Sequence, residues 1–132
     1  MSYILIVEDE PFILDLLEQA LGDDGYATVS VANGQAALAA IAADRPDCIL
    51  LDLNLPLLDG EGVLRALASQ QYCPPVLLMT ADPRGQRLGP ADGVMGHIPK
   101  PFDLDLLSTA VAMATAGYGR SQAGSGDVSL PP

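Results

Sequence analysis

The stretch Asp47-Cys48-Ile49-Leu50-Leu51-Asp52-Leu53-Asn54-Leu55-Pro56 decides the fold class. Its apolar run, residues 48–51, predicts a strand buried on both faces, and such strands belong mostly to parallel sheets covered by helices. Asp52 ends the run. Open α/β sheets bind their ligands at the carboxyl edge of the sheet, so the sequence predicts a functional carboxylate there.

Strand and helix patterns alternate on both sides of this stretch. Two further apolar runs, Tyr3–Val7 and Pro75–Met79, predict buried strands, and Tyr26–Ala32 predicts a strand that is less completely buried. Apolar residues at helical spacing predict helices over 11–21, 35–43, 62–71 and 103–116. This βα repeat predicts an α/β fold with a doubly wound parallel sheet and helices on both faces.

The apolar faces of the first and last predicted helices can be named. In the first helix we expect the face to hold Ile13, Leu16, Leu17, Ala20 and Leu21. In the last helix we expect it to hold Leu104, Leu107, Val111 and Ala114, with Asp103 or Asp105 at the amino end.

The segment between Thr80 and Lys100 interrupts the regular pattern. Its helix breakers are Pro83, Gly85, Gly89, Pro90, Gly93 and Gly96. They predict a fourth helix that is short or irregular. Gly96–Pro99 predicts a final strand at an edge of the sheet, because proline cannot donate a ladder hydrogen bond. The glycine- and serine-rich end predicts one folded domain over 1–117 and a flexible tail over 118–132.

Composition excludes several classes of partner. The net charge of -11, from seventeen acidic and six basic residues, opposes binding to nucleic acid. No apolar stretch approaches the roughly 20 residues that span a bilayer, and the start lacks a basic leader, so we expect no membrane association and a cytoplasmic location. Cys48 and Cys73 are expected to be buried free thiols in a reducing compartment, rather than a disulfide or a metal pair.

Polar residues that follow the predicted strands meet at one edge of such a sheet. They are Glu8, Asp9, Asp52, Thr80 and Lys100. Three carboxylates close together require a hard divalent cation or raised pKa values, and oxygen ligands of this kind suit Mg²⁺. Asp52 can then attack a phosphoryl group while the metal and the ammonium neutralise its charge, and the hydroxyl of Thr80 can bond the transferred group.

Four motifs in order resemble the signature of receiver domains in the response regulators of bacterial two-component signalling. They are Val7-Glu8-Asp9-Glu10, Leu51–Gly60, Met79-Thr80-Ala81 and Lys100-Pro101-Phe102, and the match runs from about Ile4 to about Ala116. The resemblance implies a flavodoxin-like sheet of five strands in the order 2-1-3-4-5. It also implies a cis peptide bond between Lys100 and Pro101, an isomer that proline tolerates.

The resemblance assigns a role to each site residue. It implies that Asp52 is the phosphoacceptor. The implied ligands of Mg²⁺, or of Mn²⁺, are Glu8, Asp9, Asp52 and the backbone carbonyl of Asn54. The implied phosphoryl-binding and switch residues are Thr80, Ala81, Lys100 and His97. The implied structural residues are Pro101, Asp59 and Gly60.

Several alternatives stay open at individual positions. Glu8 and Asp9 can instead cap the amino end of the first helix. His97 matches the position of a rotating switch residue that is more often Tyr or Phe, but it can also be a half-buried packing residue that does not switch. Asp59-Gly60 is read as a turn.

The function implied is a stand-alone receiver that accepts a phosphoryl group and then binds a partner. The donor would be a sensor histidine kinase or a histidine phosphotransfer protein, and the downstream protein is unknown. Such a domain catalyses only its own phosphorylation and dephosphorylation. The tail can also be a linker within a longer parent protein.

Two other functions compete with this reading. One is an interaction module that keeps the fold but works without phosphorylation. The other is an aspartyl-phosphate phosphatase like the haloacid dehalogenases. Those enzymes need a second Asp two residues after the nucleophile, where this chain has Asn54, which transfers no proton at neutral pH.

Overall fold

A computed structural model describes residues 3–55, 57–70, 74–81, 85, 87–100 and 102–116. Within these residues five strands alternate with four α-helices. The strands are β1 (Ile4–Val7), β2 (Thr28–Val31), β3 (Cys48–Asp52), β4 (Val76–Thr80) and β5 (Val94–Pro99). The helices are α1 (Pro11–Asp23), α2 (Gly34–Ala43), α3 (Gly60–Ala68) and α4 (Leu104–Thr115).

The five strands form one parallel sheet in the order β2-β1-β3-β4-β5. This order, with β1 and β3 side by side at the point where the winding reverses, confirms the predicted doubly wound fold. Every residue of β3 is buried, whereas β2 is only partly buried, because β2 lies at an edge of the sheet.

The sheet separates two apolar cores. One face packs against α2 and α3, and its strand residues include Leu51, Leu78 and Val94. The opposite face packs against α1 and α4, and its strand residues include Leu50 and Ile98. Alternate residues of β1, β3 and β4 therefore contribute to alternate cores, which explains why these central strands are apolar without interruption.

Two of the predicted helix faces are partly wrong. Leu17 and Leu21 of α1 and Leu107 of α4 are buried, but Leu16 is 39% and Leu104 is 42% exposed. Leu16 lies about 100° around the helix from Leu17, outside the stripe that meets the sheet. Leu104 is the first residue of α4, and helical side chains lean toward the amino end, so its side chain extends away from the sheet.

The helix caps correct two further predictions. Glu10, rather than Glu8 or Asp9, caps α1, because its carboxylate accepts a hydrogen bond from the amide of Phe12. Asp59 caps α3 by accepting from the amide of Gly62, so the helix begins at Gly60 and not at Gly62 as predicted. Asp103 caps α4, as predicted.

The described part of the segment between β4 and β5 contains no α-helix. It has a short 3-10 helix, Pro90–Asp92, which agrees with the predicted short or irregular fourth helix. β5 then begins at Val94, two residues earlier than predicted. Its register against β4 shifts by one residue, since Val76 pairs with Val94 and Leu77 pairs with Gly96. This insertion is a β-bulge in β5.

Cys48 is a buried free thiol, as expected. Cys73 and the predicted tail, 118–132, lie outside the described residues. None of the described helices has the length and apolar character needed to cross a bilayer.

Gly60 and Gly22 give a matched test of the packing at the start of α3. A Cβ at Gly60 would lie 2.6 Å from the carbonyl oxygen of Asp52 and 2.7 Å from the Cα of Leu53, whereas a Cβ at Gly22 meets nothing within 4 Å. We expect Gly60→Ala to destabilise the fold by about 1–3 kcal/mol, because backbone atoms cannot move aside cheaply. Gly22→Ala should stabilise α1 by about 0.5–1 kcal/mol. Urea unfolding of both variants measures the difference, and equal effects would contradict this packing.

Candidate functional site

The register of the sheet brings the polar strand ends together. Val7 pairs with Leu51, so Glu8 follows β1 at the level where Asp52 ends β3. Thr80 pairs with Pro99, so Lys100 follows β5 beside the end of β4. A cleft of about 560 Å³ lies at this edge of the sheet. Its lining residues are Glu8, Asp9, Glu10, Asp52, Asn54, Thr80, Ala81 and Lys100.

Lys100 lies between two buried carboxylates. Its Nζ is 2.9 Å from Oε1 of Glu8 and 3.3 Å from Oδ2 of Asp52. Glu8 is 1% and Asp52 is 5% exposed. The closer partner is Glu8, although the family resemblance directs Lys100 toward the phosphoryl group. The ammonium therefore compensates part of both buried charges at once.

Backbone amides fix the remaining carboxylate oxygens. The amide of Glu10 donates to Oε2 of Glu8 at 3.2 Å, and the amide of Asn54 donates to Oδ1 of Asp52 at 3.2 Å. Glu8 is thus held at both oxygens, by Lys100 and by the chain that leads into α1. Sequence reasoning missed the part of Glu10 in this arrangement, because backbone donors have no sequence signal.

The charges of the cleft change the protonation of Asp52. Burial is the largest cause that raises the pKa of Asp52, and the adjacent carboxylate of Glu8 raises it as well. The ammonium of Lys100 and the hydrogen bond from the amide of Asn54 lower it, and the net pKa is about 6. Burial lowers the pKa of Lys100, but the hydrogen bond to Glu8 and the charge of Asp52 outweigh burial, so the net pKa is raised. Lys100 therefore stays an ammonium. The raised pKa of Asp52 means that its surroundings disfavour the ionised carboxylate.

Three carboxylates form a group that suits a cation. One oxygen each from Glu8, Asp9 and Asp52 lies within 4.8 Å of the others. Asp9 is the exposed member of the group, and the other two are buried. Three negative charges face the single ammonium of Lys100, so the donor set and its charge fit a hard divalent ion with oxygen ligands.

The loop that follows Asp52 is held by close packing. Gly60 lies against the backbone of Asp52 and Leu53, and its amide donates to the carbonyl of Leu53. Leu57 has φ 67, the left-handed conformation that side chains other than glycine rarely adopt, and is 77% exposed. Asp59 and Gly60 therefore shape this loop from outside the cleft.

His97 lies away from the cleft. Its side chain is exposed, and Nε2 lies 2.9 Å from the carbonyl oxygen of Gly85 and 2.8 Å from that of Leu88. The half-buried packing role considered for His97 is therefore wrong. Sequence reasoning missed Gly85 and Leu88, because it read this segment only for its helix breakers.

The structure thus gathers seven of the predicted site residues around one cleft. They are Glu8, Asp9, Asp52, Asn54, Thr80, Ala81 and Lys100. Asp59, Gly60 and His97 lie outside its lining. Pro101, with the predicted cis peptide bond, lies outside the described residues.

The raised pKa of Asp52 predicts how stability changes with pH in the absence of divalent metal. Between its ordinary value of 3.8 and about 6 the folded state binds more protons than the unfolded state, so the free energy of unfolding falls as pH rises through this window. Asp52→Asn removes this dependence. At 1.36 kcal/mol per pH unit, we expect the variant to be more stable than the wild type by up to about 3 kcal/mol at pH 7, and by much less at pH 4.

Urea unfolding in EDTA from pH 4 to pH 7 measures this difference. Asp15→Asn, which neutralises an exposed carboxylate of α1, is the control and should show no such trend. A gain from Asp52→Asn that is the same at pH 4 and pH 7 would contradict the prediction.

Comparison with known proteins identifies the family. Residues 4–112 match the model of the response regulator receiver domain. Response regulator MprA of Mycolicibacterium vanbaalenii is 39% identical over 106 residues, which are 79% of this chain and 46% of that protein. The chain therefore spans about half the length of this relative.

Solved structures agree with this match. The chemotaxis response regulator CheY4 of Vibrio cholerae is 31% identical with a TM-score of 0.78, over 86% of this chain and 98% of that one. The receiver domain of a sensor histidine kinase from Pseudomonas aeruginosa, with magnesium coordinated in its active-site cleft, is 28% identical with a TM-score of 0.80, over 87% and 98%. The chain belongs to the response-regulator receiver domain family of two-component signalling.

Proposed function

We propose that this domain accepts a phosphoryl group on Asp52 and passes the signal on by binding a partner protein. The observation that carries the proposal is the buried Asp52 carboxylate at the end of β3, with Lys100 at 3.3 Å and two further carboxylates in one cleft. An acceptor of a phosphoryl group needs a carboxylate nucleophile and cations for the equatorial oxygens. Asp52 and the ammonium of Lys100 support the proposal on both points.

A divalent ion would complete the charge balance of this site. Glu8, Asp9 and Asp52 would hold Mg²⁺ or Mn²⁺ through carboxylate oxygens, and the backbone carbonyl of Asn54 is the fourth protein ligand that we propose. When bound, the ion neutralises phosphoryl oxygens and aligns the group with the nucleophile. The exposed position of Asp9 gives the ion a route from solvent.

The chain's own residues perform the transfer. An oxygen of Asp52 attacks phosphorus, the new O–P bond forms as the P–N bond of a phosphohistidine breaks, and the histidine of the donor keeps the electron pair. Lys100 neutralises charge on the transferred group, and the Thr80 hydroxyl and the backbone at Ala81, which line the same cleft, offer hydrogen-bond donors to it. Asn54, which is exposed at the mouth, regulates the access of water to the acyl phosphate.

The proposed donor is a sensor histidine kinase or a histidine phosphotransfer protein. The acidic composition supports a protein partner rather than nucleic acid for this domain, because a net charge of -11 repels a polyanion. We propose no further catalytic activity beyond self-phosphorylation and self-dephosphorylation, and a cytoplasmic location.

Phosphorylation by a small donor tests the proposed function directly. Incubation with acetyl phosphate and Mg²⁺ should add one phosphoryl group, stable in acid and labile in base, as an acyl phosphate is. Asp52→Asn should abolish the adduct because it removes the nucleophile, and EDTA should prevent it because the carboxylate charges are then left uncompensated. Intact-mass spectrometry and Phos-tag gels measure both effects.

Two outcomes would change the proposal. If neither acetyl phosphate nor a histidine kinase yields an adduct, the domain is an interaction module that works without phosphorylation. Continuous release of phosphate from metabolites would indicate a hydrolase instead.

The proposed metal ligands are tested by a matched pair of neighbouring acids. Asp9→Asn should weaken Mg²⁺ binding about 10-fold or more, because it removes one of three ligand charges while leaving an exposed position that folding tolerates. Glu10→Gln is the control, since Gln keeps an oxygen that can cap α1. Isothermal titration calorimetry suits the measurement, because the chain has no tryptophan as a fluorescent probe. An equal loss in both variants would show that general charge, and not ligation by Asp9, determines affinity.

A further inference from the structure

We propose that the turn between β2 and α2, residues 31–34, positions the two segments of the cleft that bear the metal ligands. These segments are residues 8–9, which follow β1, and residues 52–54, at the end of β3. The decisive contact joins Gly34 of this β2–α2 turn to Leu58, in the loop between β3 and α3. The inference rests on the proposed function, since it concerns how the ligands of the ion are held.

One side of the β2–α2 turn contacts the segment after β1. Val31 pairs with Val7 in the sheet, and its carbonyl oxygen accepts a hydrogen bond from the amide of Glu8 at 3.1 Å. The pairing of β1 with β2 thus continues into the residue that offers a buried carboxylate to the cleft. The backbone of Glu8 therefore cannot shift without moving the turn or losing this bond.

The other side of the turn packs on the loop after β3. Gly34 is buried, and a Cβ there would overlap the carbonyl oxygen of Leu58 and lie 2.8 Å from its carbonyl carbon. The backbones of the two residues are thus in direct contact. Because β1 lies between β2 and β3 in the sheet, the turn reaches past the end of β1 to make this contact. One short turn therefore contacts both sides of the acidic site.

The β2–α2 turn is the fixed partner in these contacts. The side chain of Asn33 accepts a hydrogen bond from the amide of Ala36 at 2.8 Å, and its carbonyl accepts one from the amide of Ala37 at 3.1 Å. These bonds make the turn continuous with α2. Ala37 and Ile41 anchor that helix in the core. The turn therefore moves only if α2 moves with it.

The loop passes a displacement of Leu58 on to the cleft. Its two ends are tied, since the amide of Gly60 donates to the carbonyl of Leu53 at 2.9 Å. A shift of Leu58 must then be taken up inside the loop, which contains Asn54. The amide of Asn54 holds Oδ1 of Asp52, and its carbonyl is the fourth protein ligand that we propose.

The same contact gives a physical reason for the strained backbone of Leu57. Leu57 has φ 67 and is 77% exposed, so its side chain gains little from burial. Leu58, the next residue, is half-buried and packs against the core on the α2 and α3 face. The left-handed conformation of Leu57 therefore stabilises the fold only through the inward course that it gives to Leu58.

Gly34→Ala and Gly62→Ala form a matched pair, because both place a methyl group against Leu58 near the start of a helix. At position 34 the methyl group meets main-chain atoms of Leu58, whereas at position 62 it meets Cδ1 and Cγ, which can rotate away. We expect Gly34→Ala to weaken Mg²⁺ binding about 10-fold, as changes to groups that support metal ligands do. Gly62→Ala should bind Mg²⁺ like the wild type.

Isothermal titration calorimetry measures the affinity of both variants, after circular dichroism has shown that they are folded. Equal affinities in the two variants would overturn the proposal, because the main-chain contact at Gly34 would then have no special effect.

Hydrogen exchange in EDTA tests the position of the loop without any metal. In Gly34→Ala the amide of Asn54 should exchange about 2- to 10-fold faster than in the wild type, because its hydrogen bond to Asp52 is weakened. In Gly62→Ala it should not. The amide of Tyr26, which bonds to Leu21 at the opposite end of β2, corrects for any change in global stability. An unchanged ratio of the Asn54 rate to the Tyr26 rate would overturn the proposal.

The wild type supplies a test that does not depend on the folding of a variant. If the turn positions the ligands, binding of the ion must in return stabilise the turn. We expect Mg²⁺ to slow exchange of the amides of Glu8, Ala36 and Ala37, which bond to the turn, by a larger factor than that of Tyr26. Equal slowing at both ends of the molecule would indicate global stabilisation alone and would overturn the proposal.

These readouts distinguish two kinds of failure. If the wild type binds no Mg²⁺ and takes no phosphoryl group from acetyl phosphate, the proposed function fails and the ligand-positioning role fails with it. Exchange at Asn54 in EDTA then shows whether the turn still holds the loop. If the wild type binds Mg²⁺ and Gly34→Ala binds it equally well, this inference fails alone.

Discussion

The site depends on one electrostatic constraint, the burial of Glu8 and Asp52 beside a single ammonium. Two carboxylates that are 1% and 5% exposed cannot both be ionised at low cost without a cation between them. Lys100 supplies it, and its Nζ contacts both. The remaining negative charge, with that of Asp9, favours a further cation. The charges of the cleft therefore suit a further cation with oxygen ligands, which the proposed function requires.

The fold is arranged so that this constraint is met at one edge of the sheet. β1 and β3 pair side by side, which places Glu8 next to Asp52, and β5 ends where Lys100 can reach both. The chain between Asp52 and α3 turns sharply because Gly60 has no side chain to strike the backbone of β3. The buried carboxylate of Asp52 and the left-handed backbone of Leu57 destabilise the fold locally. The two apolar cores offset this cost.

Sequence patterns predicted the strands and the residues at their ends, because these features depend on the order of residues over short stretches of the chain. Apolar runs located β1, β3 and β4, and weaker patterns located β2 and the second half of β5. The parallel sheet then placed Asp52, Glu8 and Lys100 at one edge. The patterns could not show that Lys100 lies closer to Glu8 than to Asp52, because that choice depends on side-chain packing between strands that are distant in sequence. Nor could they identify Leu16 and Leu104 as exposed, since helical spacing gives the apolar face but not which part of it the sheet covers. The partners of His97 are carbonyl oxygens, which every residue has, so no residue pattern marks them.

The bulge in β5 has a consequence for the direction in which that strand's side chains point. Successive side chains of a strand alternate between its faces, so Val94 and His97, three positions apart, would normally face opposite sides of the sheet. The extra residue places them on the same side. His97 pairs with Leu78, whose side chain lies in the same core as that of Val94. The His97 side chain therefore faces the segment that holds Gly85 and Leu88. Ile98, next in the chain, enters the opposite core. A single inserted residue thus places Val94 and His97 on the same face of β5 and directs the imidazole toward the carbonyls of the preceding connection.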